Sequence, residues 1–388
     1  FDDGGQFDLP AEYLRVKSPS AEVQGHSPDE RKTHVGAVPL TGGLAIAASA
    51  MAALVISSLI WPEHTRPTVG LVNWPHLPWP TEAAGLLVGL LICFGVGFWD
   101  DRFPLRARYR LIAQLCAAGC AVVAGKVLTS MGTTFSATPL GLSLLAAPVT
   151  VIAVTGVVNA FNMSDGLDGL CGGYVAIALG AFAVCAGLLS ANGGNAGALA
   201  QVGPIVLPFL GAVLGFLFYN MRHPWRDRAA SFLGDAGSML LGFLIGWAAV
   251  RLAAGRGAES LPPVIGLWIV ALPLIDMFAC MIRRPLEGKT PMSADRRHLH
   301  HLLMASGLSV RQAVATLHLM AIAFALGGII GWRWQVPAYG LFWTLVGLFV
   351  GYTVFSVSFW RRHPDTARHL STGAATGITA SESRGYSI

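Results

Sequence analysis

The sequence predicts an all-α integral membrane protein, a polytopic helical bundle of about 10 transmembrane helices. Three observations carry this. Of 388 residues, 54% are hydrophobic and only 12% charged, against about 25% charged in ordinary soluble domains, and the mean hydropathy is +0.58. Apolar stretches near the roughly 20 residues that a helix needs to cross a bilayer recur along the chain. The basic residues sort to alternate loops between those stretches.

The stretches run over 41–61, 82–99, 109–128, 142–161, 167–190, 202–221, 237–254, 262–282, 311–331 and 337–360. Residues 31–362 are therefore expected to form a single polytopic domain. Residues 1–30 are polar and without period, and the tail 363–388 is rich in Ser, Thr, Gly and Ala. Both are expected to be disordered. The six cysteines (Cys93, Cys116, Cys120, Cys171, Cys185 and Cys280) fall in or beside apolar stretches. With no zinc spacing and no disulfide framework, they read as small buried apolar residues. The pI near 9.0 follows from the loops, and no nucleic-acid partner is expected; the bilayer is the expected partner.

If the spans alternate from a cytosolic N-terminus, the outer loops hold only Arg66, Lys126, Arg251, Arg256 and Arg333, leaving 21 of 26 Lys and Arg residues inside. That asymmetry sets both termini in the cytosol. It also sends five polar clusters to the cytosolic side: Arg31 to His34 with Pro39 to Gly43; Asp100-Asp101; Asn159 to Gly169; Phe232 to Ser238; and Asp295 to His301. Polar residues at membrane spans are costly and need a reason. Structural polarity would not sort itself to one side, so the clusters point to one cytosolic active site.

Each cluster has a plain structural reading beside the functional one. Asp100 and Asp101 could be a helix end balanced by Arg102, Arg106, Arg108 and Arg110, or a carboxylate pair that holds Mg²⁺ or takes a proton. Asn162 and Asp165 could cap a first helical turn. Asp165 and Asp168, three apart, share a helical face, and four polar side chains with Gly166 and Gly169 exceed what a cap needs. Asp235 could be an N-cap among packing glycines, or an acid beside backbone N–H groups that hold a metal and phosphate. In the loop from Arg283 to Ser309, basic residues obey the topology rule, whereas His298, His300 and His301 do not follow from it. A metal site of His298 with His301 lacks an evident Cys or acidic partner, and an anionic sugar-bearing substrate explains the histidines better. Together the carboxylates, basic loop and glycine turns suggest Mg²⁺-dependent phosphoryl transfer. No Walker lysine loop and no dinucleotide fingerprint is present.

These motifs, in this order, resemble the polyprenyl-phosphate N-acetylhexosamine-1-phosphate transferases, most nearly the WecA type. The resemblance runs from about Pro28 to Val314. It rests on Arg31-Lys-Thr-His34 with Pro39-Leu-Thr-Gly42-Gly43, Gly97-Phe-Trp-Asp100-Asp101, Asn159-Ala-Phe-Asn162-Met-Ser-Asp165-Gly-Leu-Asp168, Phe232-Leu-Gly-Asp235-Ala-Gly-Ser238 and Asp295-Arg296-Arg-His298-Leu-His300-His301. It implies transfer of N-acetylglucosamine 1-phosphate from UDP-GlcNAc to undecaprenyl phosphate, with release of UMP, at a bacterial inner membrane. By the same resemblance, Asp100, Asp101 and Asp168 are the expected catalytic acids, with Asp100 the base if one is needed. Asp235 with Asp101 would hold Mg²⁺ (or Mn²⁺). Asn162, Asp165, Asp168 and Phe232 would line the uridine side, and Lys32, His34, Arg296, His298, His300 and His301 would hold diphosphate and sugar. A homodimer is compatible with the resemblance.

Related muramoyl-pentapeptide transferases usually carry three consecutive histidines where Leu299 interrupts the run here, which favours a GlcNAc-type donor. Another UDP-N-acetylhexosamine stays open. The family has eleven spans, one before the Arg-Lys-Xaa-His motif, and residues 1–30 contain none, so that first span is expected to be absent. From another class, a transporter would put its acids near the midplane of broken helices, and a membrane scaffold would leave the one-sided clusters unexplained.

Overall fold

The computed structural model describes residues 39–60, 80–124, 127–191, 197–226, 228–254, 260–288, 290 and 297–363. The expectations for residues 1–30, for the tail, and for Lys32, His34 and Arg296 lie outside these.

In lipid every backbone amide needs a partner within its own segment, so apolar runs of this length become helices. They do: α1 (Gly42–Ile60), α2 (Pro80–Asp100), α3 (Ala107–Ala124), α4 (Ala146–Met163), α5 (Leu170–Ala191), α6 (Ala198–Asn220), α7 (Gly234–Ala253), α8 (Pro263–Ile269), α9 (Ala271–Leu286), α10 (Leu299–Ala305), α11 (Val310–Arg333) and α12 (Ala338–Arg362). A small antiparallel hairpin, β1 (Ser130–Gly132) with β2 (Leu140–Gly141), precedes α4. Each of the ten expected stretches is mainly helical among the described residues. Seven described helices are long and apolar enough to cross a membrane, and α8 with α9 would make an eighth if they form one bent span. α1 is apolar over Gly42–Ile56, and α3, which opens on Arg108 and Arg110, is not among the seven.

The expected span 262–282 is broken, with α8 and α9 meeting at an angle of 80°. Pro273 stands in the first turn of α9. It lacks an N–H for the carbonyl four residues back and crowds it, so the helix cannot run straight through Val270.

α7 is the hub. It is buried along nearly its whole length and packs on α1, α2, α4, α5, α6 and α8. At its far end Arg251 pairs with Glu82 at the start of α2, at 3.4 Å, both charges largely out of water. Of the cysteines, Cys93, Cys171, Cys185 and Cys280 are buried as expected, but Cys116 is exposed on α3 and Cys120 partly so.

The Glu82–Arg251 pair yields a stability prediction. Removing one partner of a buried pair costs on the order of 3 kcal/mol, because the remaining charge loses its compensation. Glu82→Gln should lower the melting temperature of the protein in detergent. The double change Glu82→Gln/Arg251→Met should recover most of the loss, as read by a fluorescence-detected unfolding scan.

Candidate active site

Four expected clusters meet where α7 begins. The segment before α1 runs beside the one before α7: Phe232 N–H donates to Pro39 O (3.0 Å), Gly42 N–H to Phe232 O (3.0 Å) and Gly43 N–H to Leu233 O (3.1 Å). Phe232 itself is buried there. From the end of α2, the Asp101 carboxylate accepts from the backbone N–H of Asp235 (2.8 Å) and of Ala236 (3.1 Å). From the last turn of α4, Asn162 Nδ2 donates to Asp235 Oδ1 (2.7 Å) and Ser238 Oγ (2.9 Å).

Close approach makes this possible. A Cβ on Gly97 would lie 2.5 Å from the nitrogen of Ala236 and 2.5 Å from the carbonyl oxygen of Asp235. Gly234 has φ +74, and a Cβ there would stand 2.7 Å from an Asp101 oxygen. Both positions accept only glycine without displacement.

Two structural alternatives raised by the sequence fall away. α7 has no side-chain cap from its own N-terminal residue; its first N–H groups are taken by Asp101 from another helix. Those two donors are therefore committed and do not form the open phosphate cradle that the glycine-flanked acid suggested. Asn162 donates to Asp235 and Ser238, and Asp165 accepts from Gly234 N–H at the start of α7. The N–H of Gly169, before α5, goes to Asn220 Oδ1 on α6 (2.8 Å), so neither Asn162 nor Asp165 caps α5.

Asp100 is buried and sits between Leu105 N–H, which donates at 2.6 Å, and Arg110 Nη1 at 3.1 Å. Asp168 is turned to Arg222, with Nε at 2.8 Å, and to Ala229 N–H at 3.4 Å. Thus Asp100, Asp101, Asn162, Asp165 and Asp235 gather, while Asp168 borders them and braces the loop before α7.

So many acids out of water oppose one another's ionisation. Burial first, then the charge of Asp235, push the Asp101 carboxyl up to about 8, although two backbone N–H groups pull the other way. Burial, then the charges of Asp235, Asp101 and Asp168, raise Asp165 well above the ordinary carboxylate range.

The histidines form a second cluster. His298, His300 and His301 are all buried; the rings of His298 and His300 are parallel at 5.8 Å, and those of His300 and His301 lie 4.1 Å apart. Here the sequence missed a partner. Asp276 and Cys280, on α9, bring ligand-type atoms within 4.8 Å of His298. Asp276 was legible as an acid inside an apolar span. Arg222, Asn220 and Tyr352 carried no comparable signal. On α5, Cys171 and Tyr174 are within electrostatic reach of Asp165 and Asp276 respectively.

The model of glycosyl transferase family 4 matches residues 83–253, the stretch from α2 to the end of α7 that supplies every acid of the first cluster. The undecaprenyl-phosphate alpha-N-acetylglucosaminyl 1-phosphate transferase of Yersinia pestis is 36% identical over 328 residues, 83% of this chain and 80% of that protein. The chain belongs to glycosyl transferase family 4. The protein of the same name from Escherichia coli (strain K12) is 33% identical over 306 residues, covering 78% of this chain and 75% of the relative. A probable undecaprenyl-phosphate N-acetylglucosaminyl 1-phosphate transferase of Bacillus subtilis (strain 168) is 34% identical over 304 residues, 78% and 76% of the two chains. Residues 1–62 also match a model described as gamma-butyrobetaine hydroxylase-like, N-terminal.

As a family 4 member the chain is a multi-pass membrane transferase. Its acids depend on the Gly97 contact, which is testable. Gly97→Val should push Asp235 and Ala236 aside and lower transferase turnover by about 10²-fold, the scale of a 1 Å misplacement. Helix content by circular dichroism should stay unchanged.

Proposed function

We propose that this protein transfers N-acetylglucosamine 1-phosphate from UDP-GlcNAc to undecaprenyl phosphate, giving undecaprenyl-diphospho-GlcNAc and UMP. The reaction would occur at the cytosolic face of a bacterial inner membrane, as the first lipid-linked step of an envelope polysaccharide such as O antigen. The observation that carries the reading is the convergence of Asp100, Asp101, Asn162, Asp165 and Asp235 from three chain segments on the first turn of the buried hub helix. The relatives named above lend the substrates.

Mg²⁺ fits this cluster. Asp235 Oδ2 is buried with no hydrogen-bond partner among the described residues, and the Asp100 carboxyl lies against the same side chain, an arrangement that is costly unless a cation takes it. Asp235 is the open ligand; Asp101, whose oxygens already accept two backbone N–H bonds, supports it from behind. When bound, Mg²⁺ would neutralise the diphosphate charge.

The chain's own groups do the rest. Arg110 beside Asp100 attracts the lipid phosphate, and Asp100 accepts its proton if it arrives protonated. A lipid phosphate oxygen then bonds to the β-phosphorus of the sugar nucleotide, and the bond from that phosphorus to the UMP oxygen breaks. Asn162 keeps Asp235 oriented through its amide. Asp165 and Phe232 would border the nucleotide, and Asp168 holds Arg222 and the loop before α7. The histidine segment would bind diphosphate and sugar, the role also proposed for Lys32, His34 and Arg296, which lie outside the described residues. An apolar cavity of about 210 Å³ between α4, α7 and the bend of α8 with α9, walled by Val157, Val250, Val270 and Phe278, offers surface for an isoprenoid chain.

The test is transfer of label from UDP-GlcNAc into a lipid extract by the purified protein with undecaprenyl phosphate and Mg²⁺. Chelator should abolish transfer, and Asp235→Ala should lower it by roughly 10²-fold or more, the scale of lost charge stabilisation. Label moving from a different UDP-N-acetylhexosamine alone would correct the sugar, and no transfer from any would overturn the reading. Because the Asp101 carboxyl sits at about 8, protons compete with the cation. Apparent Mg²⁺ affinity should therefore weaken as pH falls through and below that value, measured as the Mg²⁺ concentration for half-maximal rate.

A further inference from the structure

The histidine segment is anchored by a carboxylate outside the acidic cluster. Asp276 is the one acid of α9 and is buried. Its Oδ2 lies 2.8 Å from His298 Nδ1, and its Oδ1 accepts from Leu299 N–H (2.8 Å) and Tyr352 O–H (2.8 Å). One side chain thus grips both the ring and the backbone at the start of α10, while Tyr352 of α12 holds that side chain in turn.

The alternative is a metal site, since Cys280 Sγ also lies 3.5 Å from His298 Nδ1. The surrounding charges oppose it. The Arg283 guanidinium donates to Cys280 Sγ at 3.4 Å and to Arg297 O at 2.9 Å, so a fixed cation already serves this corner. An ionised carboxylate can only accept, so the 2.8 Å contact puts a proton on His298 Nδ1. That nitrogen is then not a ligand.

The opposite nitrogen is the informative one. His298 Nε2 is buried and has no hydrogen-bond partner among the described residues. A buried ring nitrogen without a partner is costly, and here the ring is fixed from behind with that atom left over. With a carboxylate on Nδ1–H, the ring carries a second proton readily. Nε2–H then becomes a charge-assisted donor suited to a phosphate oxygen.

We propose that Asp276 is a positioning residue of the transferase: it holds His298 with Nδ1 protonated, so that Nε2 binds the diphosphate of the sugar-nucleotide donor. The inference rests on the function proposed above, because it takes the donor to be a nucleotide diphosphate. Partners that orient a ligating histidine in this way typically contribute about 10- to 100-fold.

The experiment uses the full chain in detergent, with KM for UDP-GlcNAc and kcat measured for Asp276→Asn, His298→Gln and the double variant. The asparagine keeps the size and the acceptor for Leu299 N–H and Tyr352 O–H, but offers N–H where His298 needs an acceptor. Asp276→Asn should lower kcat/KM for the donor by about 10- to 100-fold, mainly through KM, in protein that still purifies folded. In the His298→Gln background the same change should have less than about a threefold effect, because its partner is gone. Wild-type kinetics in Asp276→Asn, or losses that multiply in the double variant, would overturn the proposal.

The nitrogen NMR shifts of histidine-labelled wild-type protein, with His298→Gln supplying the assignment, test the same arrangement without a variant that must turn over. Nδ1 of His298 should be protonated, and a bare Nδ1 would contradict the inference. If the wild type transfers no sugar phosphate from any UDP-N-acetylhexosamine, the proposed function fails, while the tautomer measurement still decides the Asp276–His298 pairing.

Discussion

The carboxylate of Asp101 lying across the first turn of α7 is the contact on which the rest of the site depends. It caps the hub helix with a carboxyl from a different helix, at the end where unpaired N–H groups need acceptors. The same contact turns Asp235 and aligns it with Asn162. It exists because Gly97 and Gly234 let two backbones approach within what a Cβ would forbid. The electrostatic result is unfavourable if every acid is ionised: Asp101 and Asp165 are both pushed up by burial and by neighbouring charge. A cluster that resists its own ionisation is well suited to gain a cation.

The second constraint is the break at Val270. A straight span would carry its C-terminal half along one line through the bilayer. The 80° bend instead lays α9 against α4 and α12. This brings Asp276 to the histidine segment from below, with Tyr352 and Arg283 completing the cage. Pro273, a residue that is costly inside a straight helix, thus helps place Asp276 against the histidine segment.

Much of this was legible from residues. Apolar length predicted the long helices but not the short α10, because in lipid a helix is nearly the only way for an apolar segment to satisfy its backbone. The acids stood out because carboxylates at the ends of apolar spans are rare without a reason. What stayed hidden were contacts set by tertiary approach. Nothing local says that Asp101 caps α7, that Asn220 takes the Gly169 amide, or that Arg222 occupies Asp168. The bend at Val270 was also missed, since the run 262–282 is long and apolar enough to be read as one span despite Pro273. Asp276 was visible as an acid in an apolar span, but its partner lies 22 positions away and no periodicity connects them.

The central claim is that the cluster around Asp235 binds a divalent cation together with the nucleotide diphosphate. Mn²⁺ in place of Mg²⁺ makes this directly observable by electron paramagnetic resonance on the purified protein. One bound Mn²⁺ per chain, coupled to phosphorus when UDP-GlcNAc is added and lost in Asp235→Ala, is the predicted result. Bound Mn²⁺ that persists in Asp235→Ala but disappears when Asp276, Cys280 or His298 is replaced would contradict it.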